Sequence, residues 1–163
     1  MSPTLQPIAL ADRPTLVNLL ELYCHDFSEF MEVPVDSTGR FNYPLKDDWW
    51  QSPNKLPFFI RIDDALAGFA LISRGSAITG ASDVTDITEF FVLRGLRRHG
   101  IGRLAAHQVF GKFPGPWEVR VRTSNTTALR FWAGAIASFL KRDCAPDEWA
   151  PDGVSRKVFR FGG

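Results

Sequence analysis

Residues 92–104 read Val92-Leu93-Arg94-Gly95-Leu96-Arg97-Arg98-His99-Gly100-Ile101-Gly102-Arg103-Leu104, and this stretch decides the fold. A strand-like run over 83–93 leads into it, and apolar residues at helical spacing over 100–113 follow it. The stretch therefore joins a buried strand to a helix. Backbone N–H groups at the start of a helix converge on one point, and the helix dipole favours negative charge there.

The composition of this loop predicts that it binds a diphosphate. Gly100 and Gly102 carry no side chain that would keep an anion away from the backbone. The nearby positive charges are Arg94, Arg97, Arg98 and Arg103. The alternative is a solvated basic turn with a glycine cap. The coincidence of strand, basic loop, paired glycines and amphipathic helix favours the anion site.

The elements around the loop predict an α/β fold with a mixed, mostly antiparallel central sheet flanked by helices. The spacing predicts strands over 4–8, 56–62, 66–73, 83–93, 117–123, 139–144 and 157–161, and helices over 13–29, 100–113 and 125–136. The crossover from strand 83–93 through the helix to strand 117–123 should be parallel and right-handed. Residues 31–55 are rich in proline and aromatic side chains, which serve either as core or as a substrate pocket.

Length and charge restrict the functional classes. A chain of 163 residues is the size of one domain, so we expect a single domain over residues 1–163. The net charge of +1 argues against nucleic acid or a membrane as the main partner. Cys24 and Cys144 fit no metal or redox spacing, and no signal peptide or membrane span is apparent. These features predict a cytoplasmic protein with two free thiols and no metal.

The sequence resembles the GNAT family of N-acetyltransferases at two landmarks. The family's cofactor motif is Arg/Gln-x-x-Gly-x-Gly/Ala at a helix start, and Arg97-x-x-Gly100-x-Gly102 fits it at each defined position. The second landmark is an asparagine that begins the next helix, followed by an alanine and an aromatic pair. Asn125-Thr126-Thr127-Ala128-Leu129-Arg130-Phe131-Trp132 fits that pattern, and the resemblance covers about residues 83–140.

The resemblance implies an acyl-CoA N-acyltransferase-like fold, in which a pair of strands splays apart to admit acetyl-CoA. The implied reaction transfers an acetyl group from acetyl-CoA to a primary amine, by direct attack in a ternary complex. The acceptor would be a small-molecule or peptide amine. The implied cofactor-binding residues are Phe90, Phe91, Val92, Arg97, Arg98, His99, Gly100, Ile101, Gly102, Arg103, Asn125 and Trp132.

The sequence departs from the family pattern at two positions. The family commonly has a tyrosine seven residues after the asparagine, as general acid for the leaving thiolate, but this chain has Trp132. An indole has no transferable proton at neutral pH. Arg94 stands where the family usually has a proline. Because a thiol with a pKa near 8.5 is a tolerable leaving anion, we expect the chain to work without a dedicated acid.

Glu89 is the candidate general base. It precedes Phe90 in the strand that leads to the loop, and members of the family often carry a glutamate on this strand for that role. The base is needed because an ammonium ion has no lone pair with which to attack a thioester. Burial among Ile87, Phe90 and Phe91 would raise the pKa of Glu89, which suits a base. The alternative is a structural carboxylate paired with an arginine, and Asp83 and Asp86 are weaker candidates.

Two other functions remain open at this point. The run Gly100-Ile101-Gly102-Arg103-Leu104-Ala105 also fits the fingerprint of a dinucleotide-binding oxidoreductase, although it lies late in a short chain. The missing tyrosine leaves a non-catalytic acyl-CoA-binding regulator as the other alternative. Asp26, Glu29 and Glu32 form either a solvated face or an edge that receives a cationic amine. The oligomeric state stays open, with a homodimer among the alternatives.

Overall fold

Within residues 2–163, which the computed structural model describes, seven strands and four α-helices follow one another along the chain. The strands are β1 (Thr4–Pro7), β2 (Lys55–Ile62), β3 (Ala65–Arg74), β4 (Thr85–Val92), β5 (Trp117–Arg122), β6 (Asp147–Trp149) and β7 (Arg156–Phe161). The helices are α1 (Arg13–Phe27), α2 (Asp48–Gln51), α3 (Ile101–Lys112) and α4 (Thr126–Leu140). None of these helices has the length and apolar composition that crossing a bilayer requires.

The strands form one sheet in the order β1-β2-β3-β4-β5-β7-β6. Among the described residues only β4 and β5 pair in parallel, and the other neighbours are antiparallel. The predicted mixed, mostly antiparallel sheet is therefore confirmed. The dinucleotide alternative is wrong, because that fingerprint belongs to a doubly wound parallel sheet.

The two faces of the sheet carry two separate parts of the core. Phe58 and Ala70 pack with side chains of α3 and α4, whereas Phe59 and Phe69 pack with side chains of α1. Successive side chains of a strand point to opposite faces, so the hairpin of β2 and β3 supplies both layers. The continuous apolar runs of these two strands reflect burial on both sides.

A bulge reverses this alternation in β4. Leu71 of β3 lies opposite Glu89, but its neighbour Ile72 lies opposite Ile87, so Thr88 is an extra residue. In a regular strand, residues four apart share a face. Here Ile87 packs on the side of α3 and α4, whereas Phe91 packs on the side of α1. The bulge therefore turns the second half of β4 over.

Strands β4 and β5 separate at the same place. Their pairing is limited to Thr85–Ile87 against Trp117–Val119. Beyond that point β4 continues to Val92 in register with β3, and β5 continues to Arg122 in register with β7. The predicted splayed strand pair is confirmed, with a gap that opens between the two strands after Ile87.

The predicted strand over 139–144 is wrong. Helix α4 continues through Leu140, because Trp132, Ala135 and Ile136 keep the apolar spacing of a helix and bury that face. Lys141 then adopts a left-handed conformation, with φ of 59°, which ends the helix. The short strand that pairs with β7 is β6, at Asp147–Trp149.

A stability prediction follows from the close contact of β3 with β4. A Cβ on Gly68 would lie 1.9 Å from the carbonyl oxygen of Phe91, so any side chain forces the backbones apart. Gly68→Ala should lower the free energy of unfolding by about 1–3 kcal/mol, the usual range for overpacking. The midpoint of urea unfolding measures the change.

Gly134→Ala is the matched control. Gly134 lies within α4, and a Cβ there would meet nothing within 4 Å. Alanine is favoured over glycine in a helix interior by about 1 kcal/mol, so this variant should be at least as stable as the parent. Equal midpoints for Gly68→Ala and the parent chain would contradict the prediction.

Candidate active site

The backbone of β4 faces the gap at alternate residues. The N–H of Leu93 donates to the carbonyl of Ala67 on β3 at 2.8 Å. In an antiparallel ladder, alternate residues direct both backbone groups to the same neighbour. The groups of Phe91 therefore point to β3, and those of Phe90 and Val92 point into the gap. The resemblance implies a cofactor role for all three residues, but the hydrogen-bond pattern directs the backbone groups of only Phe90 and Val92 into the gap.

The basic loop lies between the end of β4 and the start of α3. Gly100 is the N-cap of α3 in a left-handed conformation, with φ of 79°, and Arg98 is also left-handed, with φ of 67°. The first turn of α3 carries no acidic residue. Arg98, His99 and Arg103 are exposed. Backbone N–H groups and cationic side chains thus surround one helix start, which suits a diphosphate.

Gly102 has a different role from Gly100. A Cβ on Gly102 would lie 3.1 Å from Cε2 of Phe131, so a side chain here would crowd the packing between α3 and α4. A Cβ on Gly100 would meet only the guanidinium of Arg103, at 3.9 Å, and its left-handed φ is the constraint there. Gly100 therefore leaves space beside the backbone, and the absence of a side chain at Gly102 serves the packing of α3 on α4.

Helix α4 covers the gap with aromatic rings. Phe90 stacks on Phe131 with ring centroids 5.8 Å apart, and Trp132 meets Phe90 edge-on at 5.1 Å. Trp132 is buried, with 6% of its surface exposed. Asn125 is also buried, and its Oδ1 accepts the N–H of Ala128 at 2.9 Å. Asn125 therefore caps α4 and sets where that helix begins.

The side chains of Arg94 and Arg97 turn away from the helix start toward α1. Both donate to the carboxylate of Asp26, and the Arg94 contact measures 2.7 Å. Nε of Arg97 also donates to the carbonyl of Val92 at 2.8 Å. Burial raises the pKa of Asp26, but the hydrogen bonds from the two arginines outweigh it and leave that pKa below its usual value. The acidic edge predicted on α1 thus contains an ion-paired residue.

Glu89 lies on the α1 side of the sheet, where two phenols contact it. The hydroxyl of Tyr43 donates to Oε1 at 2.8 Å, and the hydroxyl of Tyr23 donates to Oε2. Burial raises the pKa of Glu89 above its usual value, and the phenol hydrogen bonds oppose that rise without cancelling it. The expected neighbours Ile87 and Phe90 lie on the other face of the sheet, because of the bulge.

The alternative for Glu89, a structural carboxylate paired with an arginine, describes Asp86 instead. Nε and Nη2 of Arg120 each lie 3.0 Å from an oxygen of Asp86, whose side chain is buried. Thr88 donates to the same carboxylate at 3.1 Å. Asp86 is therefore an ion-paired structural residue, and Asp83 is exposed before β4 begins. Of the three acidic candidates, Glu89 alone lies partly buried beside the gap with phenols as its partners.

The proline- and aromatic-rich stretch over residues 31–55 contributes both to the core and to a cavity. Trp49 is buried in the core under α1. Tyr43 lines a cavity of about 150 Å³ between α1 and residues 42–45, and its hydroxyl reaches Glu89. The carboxylate of Glu21 accepts the N–H groups of Phe41 and Asn42, at 2.8 and 3.0 Å, and so holds the segment against α1.

The comparisons with known proteins agree with this geometry. The model of the acetyltransferase (GNAT) family matches residues 16–135. A solved acetyltransferase from Thermus thermophilus superposes with a TM-score of 0.73 at 15% identity, covering 99% of this chain and 97% of its own. No curated protein matches the sequence.

Two further solved structures carry ligands. The PaiA N-acetyltransferase from Thermoplasma acidophilum, in complex with coenzyme A, has a TM-score of 0.66 at 12% identity, with 100% of both chains covered. The spermidine N-acetyltransferase from Vibrio cholerae, in complex with CoA and spermine, has a TM-score of 0.62 at 15% identity, covering 98% of this chain and 93% of its own. At such identities the likeness shows the shared fold.

The ion pairs of Asp26 with Arg94 and Arg97 lead to a prediction about stability. Asp26→Asn removes the charge that both arginines contact, and should lower the free energy of unfolding by about 1 kcal/mol, since Arg94 and Arg97 are partly exposed. The folded pKa of Asp26 is depressed, so its contribution is present above the ordinary aspartate pKa of about 3.9 and is lost as the pH falls.

Urea unfolding of both proteins at pH 7 and pH 3 measures this dependence. The difference in the free energy of unfolding between Asp26→Asn and the parent should be smaller at pH 3 than at pH 7. Asp143→Asn, which changes an exposed aspartate beyond the end of α4, is the control and should unfold like the parent. A difference of the same size at both pH values would contradict the ion-pair explanation.

Proposed function

Because the chain belongs to the acetyltransferase (GNAT) family, we propose that it transfers an acetyl group from acetyl-CoA to a primary amine. The amine attacks directly within a ternary complex. The observation that carries the proposal is the gap between β4 and β5, which has a partly buried carboxylate, Glu89, at its opening and a helix N-terminus at its end. These are the three parts that such a transfer needs.

The gap and the start of α3 would hold acetyl-CoA. The backbone groups of Phe90 and the N–H of Val92 can hydrogen-bond an extended amide-bearing arm between the two strands, whereas the carbonyl of Val92 already accepts from Arg97. The N-terminus of α3 at Gly100 and Ile101, with Arg98, His99 and Arg103 nearby, would hold the diphosphate. Phe131 and Trp132 close the wall of the gap on the side of α4 and exclude water from the thioester.

Glu89 acts as the general base. A primary ammonium like that of lysine has a pKa near 10.4, so most acceptor molecules are protonated at neutral pH. Glu89 accepts a proton from the ammonium, directly or through one water, and the nitrogen lone pair then attacks the thioester carbonyl. The new C–N bond gives a tetrahedral intermediate whose nitrogen loses its extra proton to solvent. The C–S bond then breaks, the amide forms, and coenzyme A leaves as a thiolate that solvent protonates.

Trp132 does not supply a proton in this scheme. It occupies the position of the family's usual tyrosine and is packed between Phe90, Phe110 and Phe131. A thiolate with a pKa near 8.5 needs less help in leaving than an alkoxide does. The indole therefore serves as packing for the gap, and the chemistry proceeds without a residue in the tyrosine's role.

The acceptor we propose is a small-molecule or peptide amine. The spermidine N-acetyltransferase that shares this fold was solved with a polyamine, which supports an amine acceptor. The cavity beside Tyr43 lies on the same side of the sheet as Glu89 and is the proposed entrance for the acceptor. Residues 1–163 would act as one catalytic domain, in the cytoplasm.

Binding of acetyl-CoA should raise the thermal stability of the protein. At a hundredfold excess over the dissociation constant, the expected gain is about 2.7 kcal/mol. Gly100→Glu should abolish the shift, because a negative side chain would enter the diphosphate site. Gly80→Glu is the matched control, since Gly80 has nearly the same φ, 76° against 79°, and lies at the other end of β4. An undiminished shift in Gly100→Glu would contradict the assignment.

Removal of the base should slow the transfer without preventing cofactor binding. Glu89→Gln is expected to lower kcat/KM by about 10²–10⁴ and to remove the acidic limb of the pH–rate profile. Acetyl-CoA should still raise the thermal stability of this variant. The rate is measured with a panel of amines, by an absorbance assay for the free thiol of the coenzyme A that is released. The control is Glu148→Gln, because the side chain of Glu148 is exposed. Cofactor binding without turnover on any amine would favour the non-catalytic regulator instead.

A further inference from the structure

Tyr23 and Tyr43 reach the same carboxylate from two distant parts of the chain. Tyr23 is on α1 and donates to Oε2 of Glu89, and Tyr43 is in the segment before α2 and donates to Oε1. They are the only two tyrosines in the sequence. Each phenol contacts one oxygen, so the carboxylate is held from both sides.

We propose that Tyr23 and Tyr43 are positioning residues for the reaction, which fix the orientation of Glu89 and keep its carboxylate ready to accept a proton. The inference rests on the proposed function of Glu89 as the base. It assigns roles to two residues that lie outside both sequence landmarks of the family, at the helix and loop that pack over the α1 side of the sheet.

Ring packing fixes the place of the Tyr23 hydroxyl. The ring meets Phe69 and Phe91 edge-on at 5.8 and 6.1 Å, and meets Tyr43 at 6.5 Å. Phe69 and Phe91 belong to adjacent strands of the sheet. Since these contacts leave the phenol little freedom, its hydrogen bond directs the carboxylate instead of following it.

The charged surroundings explain why phenol donors matter to Glu89. Burial raises the pKa of Glu89, as does Asp86 on the same strand, while Arg120 on β5 lowers it. Asp86 and Arg120 pair with each other. On α1, burial raises the pKa of the Cys24 thiol to about 11, so that group is neutral at working pH. On β3 the residue opposite Glu89 is Leu71, which carries no charge.

The two phenols are therefore the neutral donors that counter the burial of this carboxylate. A hydrogen bond to the charged form of an acid favours that form. Loss of either hydroxyl should move the ionisation of Glu89 to higher pH. The carboxylate should affect the phenols in turn, because burial and then the charge of Glu89 raise the pKa of both tyrosines above the usual value.

The first experiment needs no turnover. Absorbance near 295 nm reports tyrosinate, and both tyrosines of this chain contact Glu89. In the parent protein, tyrosinate should appear well above the ordinary pKa of about 10. In Glu89→Gln it should appear at lower pH than in the parent, with circular dichroism confirming that the fold persists. Identical titrations of the two folded proteins would overturn the proposal.

The second experiment uses the pH–rate profile of the full chain. Tyr23→Phe and Tyr43→Phe should each move the acidic limb up by about one pH unit, and keep at least roughly a tenth of the alkaline plateau. Trp50→Phe is the matched control, because it removes one aromatic hydrogen bond whose acceptor is the carbonyl of Ile8 and not Glu89. Its limb should not move.

The outcomes separate this inference from the proposed function. If Glu89→Gln retains full activity, Glu89 is not the base and the role of the tyrosines in the reaction fails with it. If Glu89→Gln is slow but both phenylalanine variants keep the parent limb, the proposed function stands and the positioning role is overturned. If the two phenylalanine variants have lower alkaline plateaus but the same acidic limb as the parent, the tyrosines contribute to packing alone.

Discussion

Pairing between β4 and β5 stops after Ile87, and the rest of the candidate site depends on that stop. One residue later, the bulge at Thr88 turns Glu89 toward α1 and leaves Phe90 facing α4. With regular alternation, Glu89 would share a face with Ile87, among the apolar side chains under α3 and α4. A carboxylate there would have no phenol donors. One extra residue therefore separates the charged group from the aromatic wall of the gap.

Helix α1 connects the two halves of the site. Tyr23 contacts Glu89, and Asp26, three residues later on the same helix face, contacts Arg94 and Arg97 of the basic loop. The side chain of Arg97 continues this connection to the carbonyl of Val92, at the end of β4. One turn of α1 therefore borders both the carboxylate of Glu89 and the loop that begins α3.

The parts of the structure that sequence predicts are those with local signals. The helix start at Gly100, the cap at Asn125 and the position of Glu89 in its strand each depend on neighbouring residues. The contacts of Glu89 have no such signal, because Tyr23 and Tyr43 lie 66 and 46 residues away. The bulge has no sequence signature either. The strand expected over 139–144 is wrong because short apolar runs fit helix and strand alike.

The contact between Gly102 and Phe131 has a consequence for the family's glycine motif. Since a Cβ at position 102 would lie 3.1 Å from the ring, the residue allowed there depends on the size of the side chain on α4. Alanine at 102 becomes acceptable when position 131 holds a smaller residue. The two positions should therefore covary among homologues, so that glycine at the end of the motif accompanies a bulky aromatic residue on the following helix.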